Sequence, residues 1–511
     1  MYNNLTRTGM SKRNLSASIL SRIVAMFTSF VGRGIFVRVL SSEYLGLGGY
    51  FGNIFSVISL CELGIGGAIA QSLYKPLADE DEYAVSAIVA FYSKICKRLA
   101  LVTFAISMAL LCFLPKIVKS ALDIRTVASA FLLFSLHSAV SYILMPKCML
   151  LICDQRMYVV SLVRSALGIV SLVLQSAALI MTKNYILYLA LRILVITAGD
   201  IIVNIYADKK YPCLAMKMTV TKKYKKNLFS NVKALAWHKV GGVLSRSTDS
   251  ILLTYFVGLS GMGKYSNYAL VIGTIGAFFD TAINSVSASV GNLGAGDRGK
   301  KSECIMRRLY FMNFWLLTTG TCVIVCTLNP LISVWLGEEM LFTNKEMLVI
   351  VSSFYFSCIR DPVQIFVSAY GLFKESRFIP LLRALFNLVL SVVFVHKMGI
   401  AGVFLGTTLS TVLVPLFGEV LVLYKHGFSM KAGIFIKEMT SYIITSFVCV
   451  TLCFLTTYRV KTDISGLVMR TVSSFCLSNA LLLILCSQSA YFSDASKLVQ
   501  GIFRKMKRSD P

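Results

Sequence analysis

Fourteen apolar stretches, each long enough to cross a bilayer, cover most of this chain, and arginines and carboxylates lie inside several of them. A hydrocarbon core about 30 Å thick takes about 20 helical residues to span. An ionisable side chain at its centre costs roughly 2.5–3.5 kcal/mol on insertion scales, so such residues usually face a polar interior instead of lipid. The expected fold is an all-α integral membrane bundle built around a charged, water-accessible path. That design suits the movement of polar cargo through a membrane.

The spans are expected near 15–40, 45–70, 99–115, 126–152, 157–182, 185–206, 237–259, 265–291, 309–336, 346–373, 378–397, 400–424, 438–458 and 467–488. Of the 511 residues, 56% are apolar, above the ordinary soluble range of about 45–50%, and the mean hydropathy is +0.73. A net charge of +27 is the kind that nucleic-acid binders carry, but most Lys and Arg fall in the two termini and in every second loop. That asymmetry is what positive-inside sorting produces, with both termini cytoplasmic and the chain multi-pass in a plasma membrane. The first apolar run is too long for a cleavable signal and carries Arg33 and Arg38. The cysteines lie mostly within spans and show no CxxC spacing, so they read as packing residues. No metal-ligand spacing and no GxxxxGK[ST] loop occurs, so neither a cofactor nor direct ATP drive is expected.

An internal repeat divides the chain. Leu162–Val173 aligns without gaps on Leu381–Val392, placing Arg164 on Arg383. Tyr44–Ile54 aligns on Gly261–Val271 at an offset of 217, placing Gly46 on Gly263. These matches imply two six-helix lobes in the same orientation around a central cavity, the arrangement in which many transporters bind and rock. The expected division is an N-terminal lobe over 1–206, a basic cytoplasmic linker over 207–236, a C-terminal lobe over 237–426, and two further helices with a basic tail over 427–511. The lysine-rich linker is expected to lie along anionic lipid. The closing pair of helices falls outside the repeat and reads as an appendage.

Basic groups outnumber acids within the spans, and a cation-rich cavity suits phosphate or pyrophosphate, to which guanidinium donates paired hydrogen bonds. The candidate substrate contacts are Arg33, Arg246, Arg360, Arg164 and Arg383. Arg33 leads, because it is deep and has no acid three or four residues away. Arg246 and Asp249 share one helical face and could form a local ion pair. Arg38, Arg192 and Arg470 could instead reach toward an interface. A coupling ion, H⁺ or Na⁺, needs a carboxylate in the bundle, and Glu62, Asp249, Asp280, Asp361 and Glu419 qualify by position. Pro362 and Pro415 favour kinks. Gly273, Gly276, Asp280, Asn284, Ser287 and Gly291 form a small and polar stripe that suits close packing or a cavity wall.

Ser247–Val271 with Ser289–Ala295 resembles the seventh and eighth spans of bacterial polysaccharide exporters of the Wzx type, and Glu43–Asp81 resembles their second span and following loop. These belong to the multidrug/oligosaccharidyl-lipid/polysaccharide exporter superfamily, with the multidrug-and-toxin exporters and the lipid II flippase. The resemblance covers roughly the first twelve spans. It implies a V-shaped bundle that flips an undecaprenyl-pyrophosphate-linked oligosaccharide to the outer leaflet for cell-surface polysaccharide such as lipopolysaccharide, coupled to an ion gradient. It further implies that Arg33 matches a first-span arginine of the lipid II flippases, and it leaves room for a polysaccharide polymerase as partner. The alternatives are a multidrug exporter of the same superfamily, disfavoured by the excess of arginine, and a membrane enzyme of polysaccharide assembly, disfavoured by short outward connections. An assembly protein without transport would leave the intramembrane charge unexplained.

Overall fold

The computed structural model describes residues 7–62, 65–117, 122–215, 248–284 and 299–487, with the single positions 218 and 492. Every regular element among them is helical, and ten helices are long and apolar enough to cross a membrane. The protein is an all-α integral membrane protein. Of the other four expected spans, the second and tenth are interrupted helices, and the seventh and eighth run into residues outside those described. Large apolar side chains such as Phe27, Leu194, Phe447 and Ile484 point outward from their helices. Apolar surface on that scale marks a contact with lipid, since water would penalise it.

The chain forms two compact units, Met1–Gly263 and Lys264–Pro511. The first holds α1 (Arg7–Val39), α2 (Ser42–Ile58), a 3-10 turn at Ser59–Glu62, α3 (Ile65–Ala78), α4 (Glu82–Ile117), α5 (Ile124–Cys153), α6 (Met157–Thr182), α7 (Tyr185–Lys210) and α8 (Thr248–Val257), and ends in the first turn of α9 (Leu259–Asn284). The turn between α6 and α7 is set by local chemistry. Lys183 adopts φ 52°, and the Asn184 side chain accepts from the amides of Ile186 and Leu187. An N-cap of this kind satisfies amides that a helix start leaves orphaned.

One end of this unit is aromatic. The Phe36 ring of α1 meets Tyr185 at 6.2 Å and Tyr188 at 5.0 Å, and Tyr44 meets Tyr185 at 4.8 Å. The other end is polar. Asp154, after α5, accepts from Arg156 Nε at 2.7 Å and from the Tyr211 hydroxyl beyond α7. Asn14 of α1 donates to the Gln155 carbonyl at 2.7 Å and accepts from the Tyr158 amide at 2.8 Å. These two sets of contacts fix the depth of everything on α1, α5, α6 and α7 between them.

The second unit continues α9 and adds α10 (Lys300–Leu336), α11 (Asn344–Cys358), α12 (Asp361–Ala369), α13 (Phe373–Ser376), α14 (Ile379–Met398), α15 (Ile400–Thr411), α16 (Phe417–Val422), α17 (Gly433–Thr457) and α18 (Ile464–Cys486). π-helical turns at Val412–Leu416 and Leu423–Phe428 flank α16. The first contains Pro415, so the helical disturbance at that proline takes the form of a π-turn. α14 and α15 pack backbone against backbone, because Gly402 lies on the Phe394 carbonyl and Gly406 on Ser391. A Cβ at either glycine would overlap those atoms.

α17 and α18 are no appendage. They dock on α10 within the main apolar cluster of this unit. The Ser446 hydroxyl of α17 lies 2.6 Å from Thr318 and accepts from Tyr355 at 2.8 Å, and Trp315 donates to Asn479 of α18 at 3.0 Å. Arg307 bridges Glu303 and Glu438 at 2.7 and 3.2 Å. Between helices surrounded by lipid, apolar contact adds little preference of its own, and packing and hydrogen bonds of this kind supply it.

Candidate functional site

Arg33 lies six residues before the end of α1, and Arg192 lies seven residues after the start of α7. At 1.5 Å per residue both sit about 9–11 Å below the aromatic end of the first unit. They are within electrostatic reach of one another, and Tyr188 also acts on Arg33. Arg192 makes no hydrogen bond or ion pair among the described residues. Tyr185 and Tyr188, which lie one to two turns above it on α7, bring no charge. Arg192 is exposed, so solvent screens part of the repulsion between the two guanidiniums, and an anion placed between them is attracted by both.

Asp200 of α7, two turns deeper than Arg192, accepts from Arg164 Nη2 of α6 at 3.2 Å. The Arg164 side chain is 57% exposed, so solvent weakens this pair. His137 of α5 stands between the two groups and interacts electrostatically with both Asp200 and Arg192. Arg33, Arg192, His137, Asp200 and Arg164 thus form one charged track through the first unit. The sequence offered Arg33 and Arg164 as candidates and treated Arg192 as an interfacial anchor. Matching the depths of Arg33 and Arg192 along their helices would have paired them. His137 carried no signal beyond its position inside a span.

In the second unit, α11 ends at Cys358 and α12 begins at Asp361, so the tenth span breaks at Ile359 and Arg360. Pro362 occupies the first turn of α12, where its missing N–H costs nothing. The break is held by Asn313 of α10, which donates to the Cys358 carbonyl at 3.0 Å. Arg360 then forms a two-pronged pair with Glu419 of α16, Nε to Oε2 at 3.1 Å and Nη2 to Oε1 at 2.7 Å. Gln364 adds a bond to Glu419 at 3.2 Å. Both members of the pair are buried. A substrate contact and a coupling carboxylate expected separately are therefore bound to each other. Asp361 lies within electrostatic reach of Asp280 of α9, whose side chain is exposed. Two carboxylates close together are a place where a proton or a small cation gains stability.

The other candidates are spread. Glu62 ends the turn after α2 and acts on Tyr92 and Cys96 of α4. Asp249 is buried in α8, while Arg246 lies outside the described residues, so the expected local pair has one described member. Arg383 is half-buried on α14, one turn before Asn387, which donates to Thr407 at 2.8 Å. In the stripe on α9, Gly273, Gly276 and Asp280 are described, the side chain of Asn284 is not, and Ser287 and Gly291 lie outside the described residues. Arg470 does not reach for an interface. It is 6% exposed and donates to the Cys326 carbonyl at 3.5 Å and to the carbonyls of Tyr458 and Val460 past the end of α17.

No protein-family model and no curated protein matches the chain. Solved structures do. The lipid II flippase MurJ in an inward closed conformation superimposes with a TM-score of 0.69 at 15% identity, over 93% of this chain and 98% of that one. An inward-facing multidrug resistance MATE family transporter of the MOP superfamily gives 0.63 at 12% identity, over 79% and 98%. A MOP superfamily transporter from Pyrococcus furiosus, described as having a binding pocket of reversed polarity, gives 0.54 at 13%, over 83% and 99%. The protein has the fold shared by the lipid II flippase and the multidrug transporters of the MOP superfamily.

Proposed function

We propose that the protein flips undecaprenyl-pyrophosphate-linked oligosaccharides from the cytoplasmic to the outer leaflet of a bacterial plasma membrane, by alternating access, for cell-surface polysaccharide biosynthesis. The observation that carries this reading is the pair of guanidiniums at Arg33 and Arg192, at one depth, in mutual electrostatic reach and with Arg192 unpartnered among the described residues. A pyrophosphate diester bears one negative charge on each phosphate, which matches two guanidiniums one to one. The fold of a lipid flippase supports the same reading. Arg164 and Arg383, at equivalent places in the repeat, would attract the carrier near the ends of their spans, and Arg246 lies in the same basic set. Drive would come from H⁺ or Na⁺ at Asp280 and Asp361, with the Arg360–Glu419 pair beside them and Glu62 and Asp249 as further acids. The proposed organisation remains two six-helix lobes, a basic linker over 207–236 lying on anionic lipid, and a closing helix pair.

A second reading, a multidrug exporter, draws on the same acids, since Asp280 facing Asp361 suits a cationic compound as well as a coupling ion. Its fold also matches. Proteoliposomes separate the two. Loaded with a fluorescent prenyl-pyrophosphoryl sugar, they should expose it to a membrane-impermeant quencher only when the protein is present, and Arg33→Ala should abolish this at unchanged protein level. Transport of a cationic dye with no movement of the lipid would replace the flippase reading by the exporter.

A further inference from the structure

We propose that His137 is a proton-binding residue linked to the anion site at Arg33 and Arg192, so that the pyrophosphate of the carrier and one proton are taken up together. This rests on the reading that an anionic carrier binds at Arg33.

The placement follows from the helix pair α5 and α7. The Asn204 amide donates to the Leu144 carbonyl at 2.9 Å, and Lys147 pairs with Asp208, so the two helices run in the same direction at an offset of about 60 residues. His137, seven residues before Leu144, is therefore level with position 197 of α7, between Arg192 and Asp200. The imidazole Nδ1 is buried and has no hydrogen-bond partner. The charges acting on the ring are Asp200 and Arg192, both from α7. Arg164 of α6 stands behind Asp200, and Arg33 of α1 behind Arg192. Glu62, the acid that follows α2, acts on Tyr92 and Cys96 of α4 instead.

Burial is the largest influence on the ring and opposes its charged form; of the two neighbouring charges, the Asp200 carboxylate favours the protonated form and the Arg192 guanidinium opposes it. Asp200 is shared with Arg164, which weakens its pull. An anion bound at Arg192 cancels the opposing charge and tips the balance toward the imidazolium. A proton taken from solvent then adds to whichever ring nitrogen is unprotonated, and no bond other than N–H forms. Linkage is reciprocal, so the protonated ring holds the anion more tightly by the same factor. Affinity is therefore highest at low pH and falls as pH rises through the titration of the ring in the complex.

The test uses the full chain in nanodiscs with a short-chain prenyl-pyrophosphoryl-N-acetylglucosamine, whose two acidic groups stay ionised from pH 5.5 to 8.5. The unmodified protein should bind it roughly fivefold or more weakly at pH 8.5 than at pH 5.5, and should take up protons on binding in weakly buffered solution. His137→Gln and His137→Asn should bind with the high-pH affinity at every pH and take up none. Asp200→Asn, which leaves the ring in place, should move the pH dependence to lower pH. A full pH dependence in both His137 variants, or an unmoved one in Asp200→Asn, overturns the proposal. Loss of binding in Arg33→Ala alongside either result would leave the reading of Arg33 standing. No binding by the unmodified protein at any pH would overturn both.

Discussion

Gly46 and Gly263 stand 217 positions apart and occupy the same place in one reciprocal helix crossing. A Cβ on Gly46 would lie 1.9 Å from the Leu259 carbonyl oxygen, and a Cβ on Gly263 would lie 2.0 Å from the Ser42 carbonyl oxygen. Ser42 precedes Gly46 by four residues, and Leu259 precedes Gly263 by four. Each glycine therefore sits on the residue one turn before the other, as at a two-fold interface where i meets j and j meets i. The hydroxyls of Ser42 and Ser260 complete the crossing at 3.0 Å. The crossing gives a physical reason for the glycine match at that offset in the sequence, since a side chain at either position would push two backbones apart.

Gly46→Ala and Gly263→Ala should each destabilise the protein by about 1–3 kcal/mol through overpacking, read as a lower midpoint of thermal unfolding in detergent. The double variant should lose less than the sum of the two, because one displacement of α9 relieves both clashes. Additive losses would mean that the two contacts are independent.

The Arg360–Glu419 pair makes a prediction of opposite form. Arg360→Ala leaves a buried carboxylate without its counter-charge and should cost about 3–5 kcal/mol. The Arg360→Met/Glu419→Leu double variant removes both charges and should be more stable than Arg360→Ala. Thermal unfolding of the three proteins checks the order.

Arg470 gathers the carbonyls that follow α17, so Arg470→Ala should cost about 1.5–3 kcal/mol for the lost charge-assisted bonds. Limited proteolysis should then cut within residues 458–463 faster than in the unmodified protein, while sites in the first unit keep their rate.

Ten of the expected spans were legible because a bilayer imposes one length on every helix that crosses it. Where a helix departs from that rule, hydropathy is silent. Pro362 announced a disturbance in the tenth span, but the break falls at Ile359 and Arg360, where Asn313 can take up the Cys358 carbonyl. Arg360 and Glu419 were each visible as intramembrane charges. Their pairing was not, because it depends on how two helices 59 residues apart are rotated. Arg192 and Arg470 looked alike in sequence, as single arginines some way inside a span. Their surroundings differ: Arg470 is buried against backbone carbonyls, whereas Arg192 is exposed and within electrostatic reach of Arg33. The closing helices looked separable because they lie outside the repeat, yet Ser446, Trp315 and Asn479 tie them to α10.

Arg33 and Arg192 are proposed to hold a pyrophosphate together, and binding measured on the two single variants and the double variant decides whether they do. With the prenyl-pyrophosphoryl sugar at fixed pH and low salt, Arg33→Gln and Arg192→Gln should each weaken binding by about tenfold or more, as expected for loss of a charge-assisted contact. The double variant should reach the level of protein-free nanodiscs. Affinity unchanged in Arg192→Gln, or in both single variants, would contradict the account.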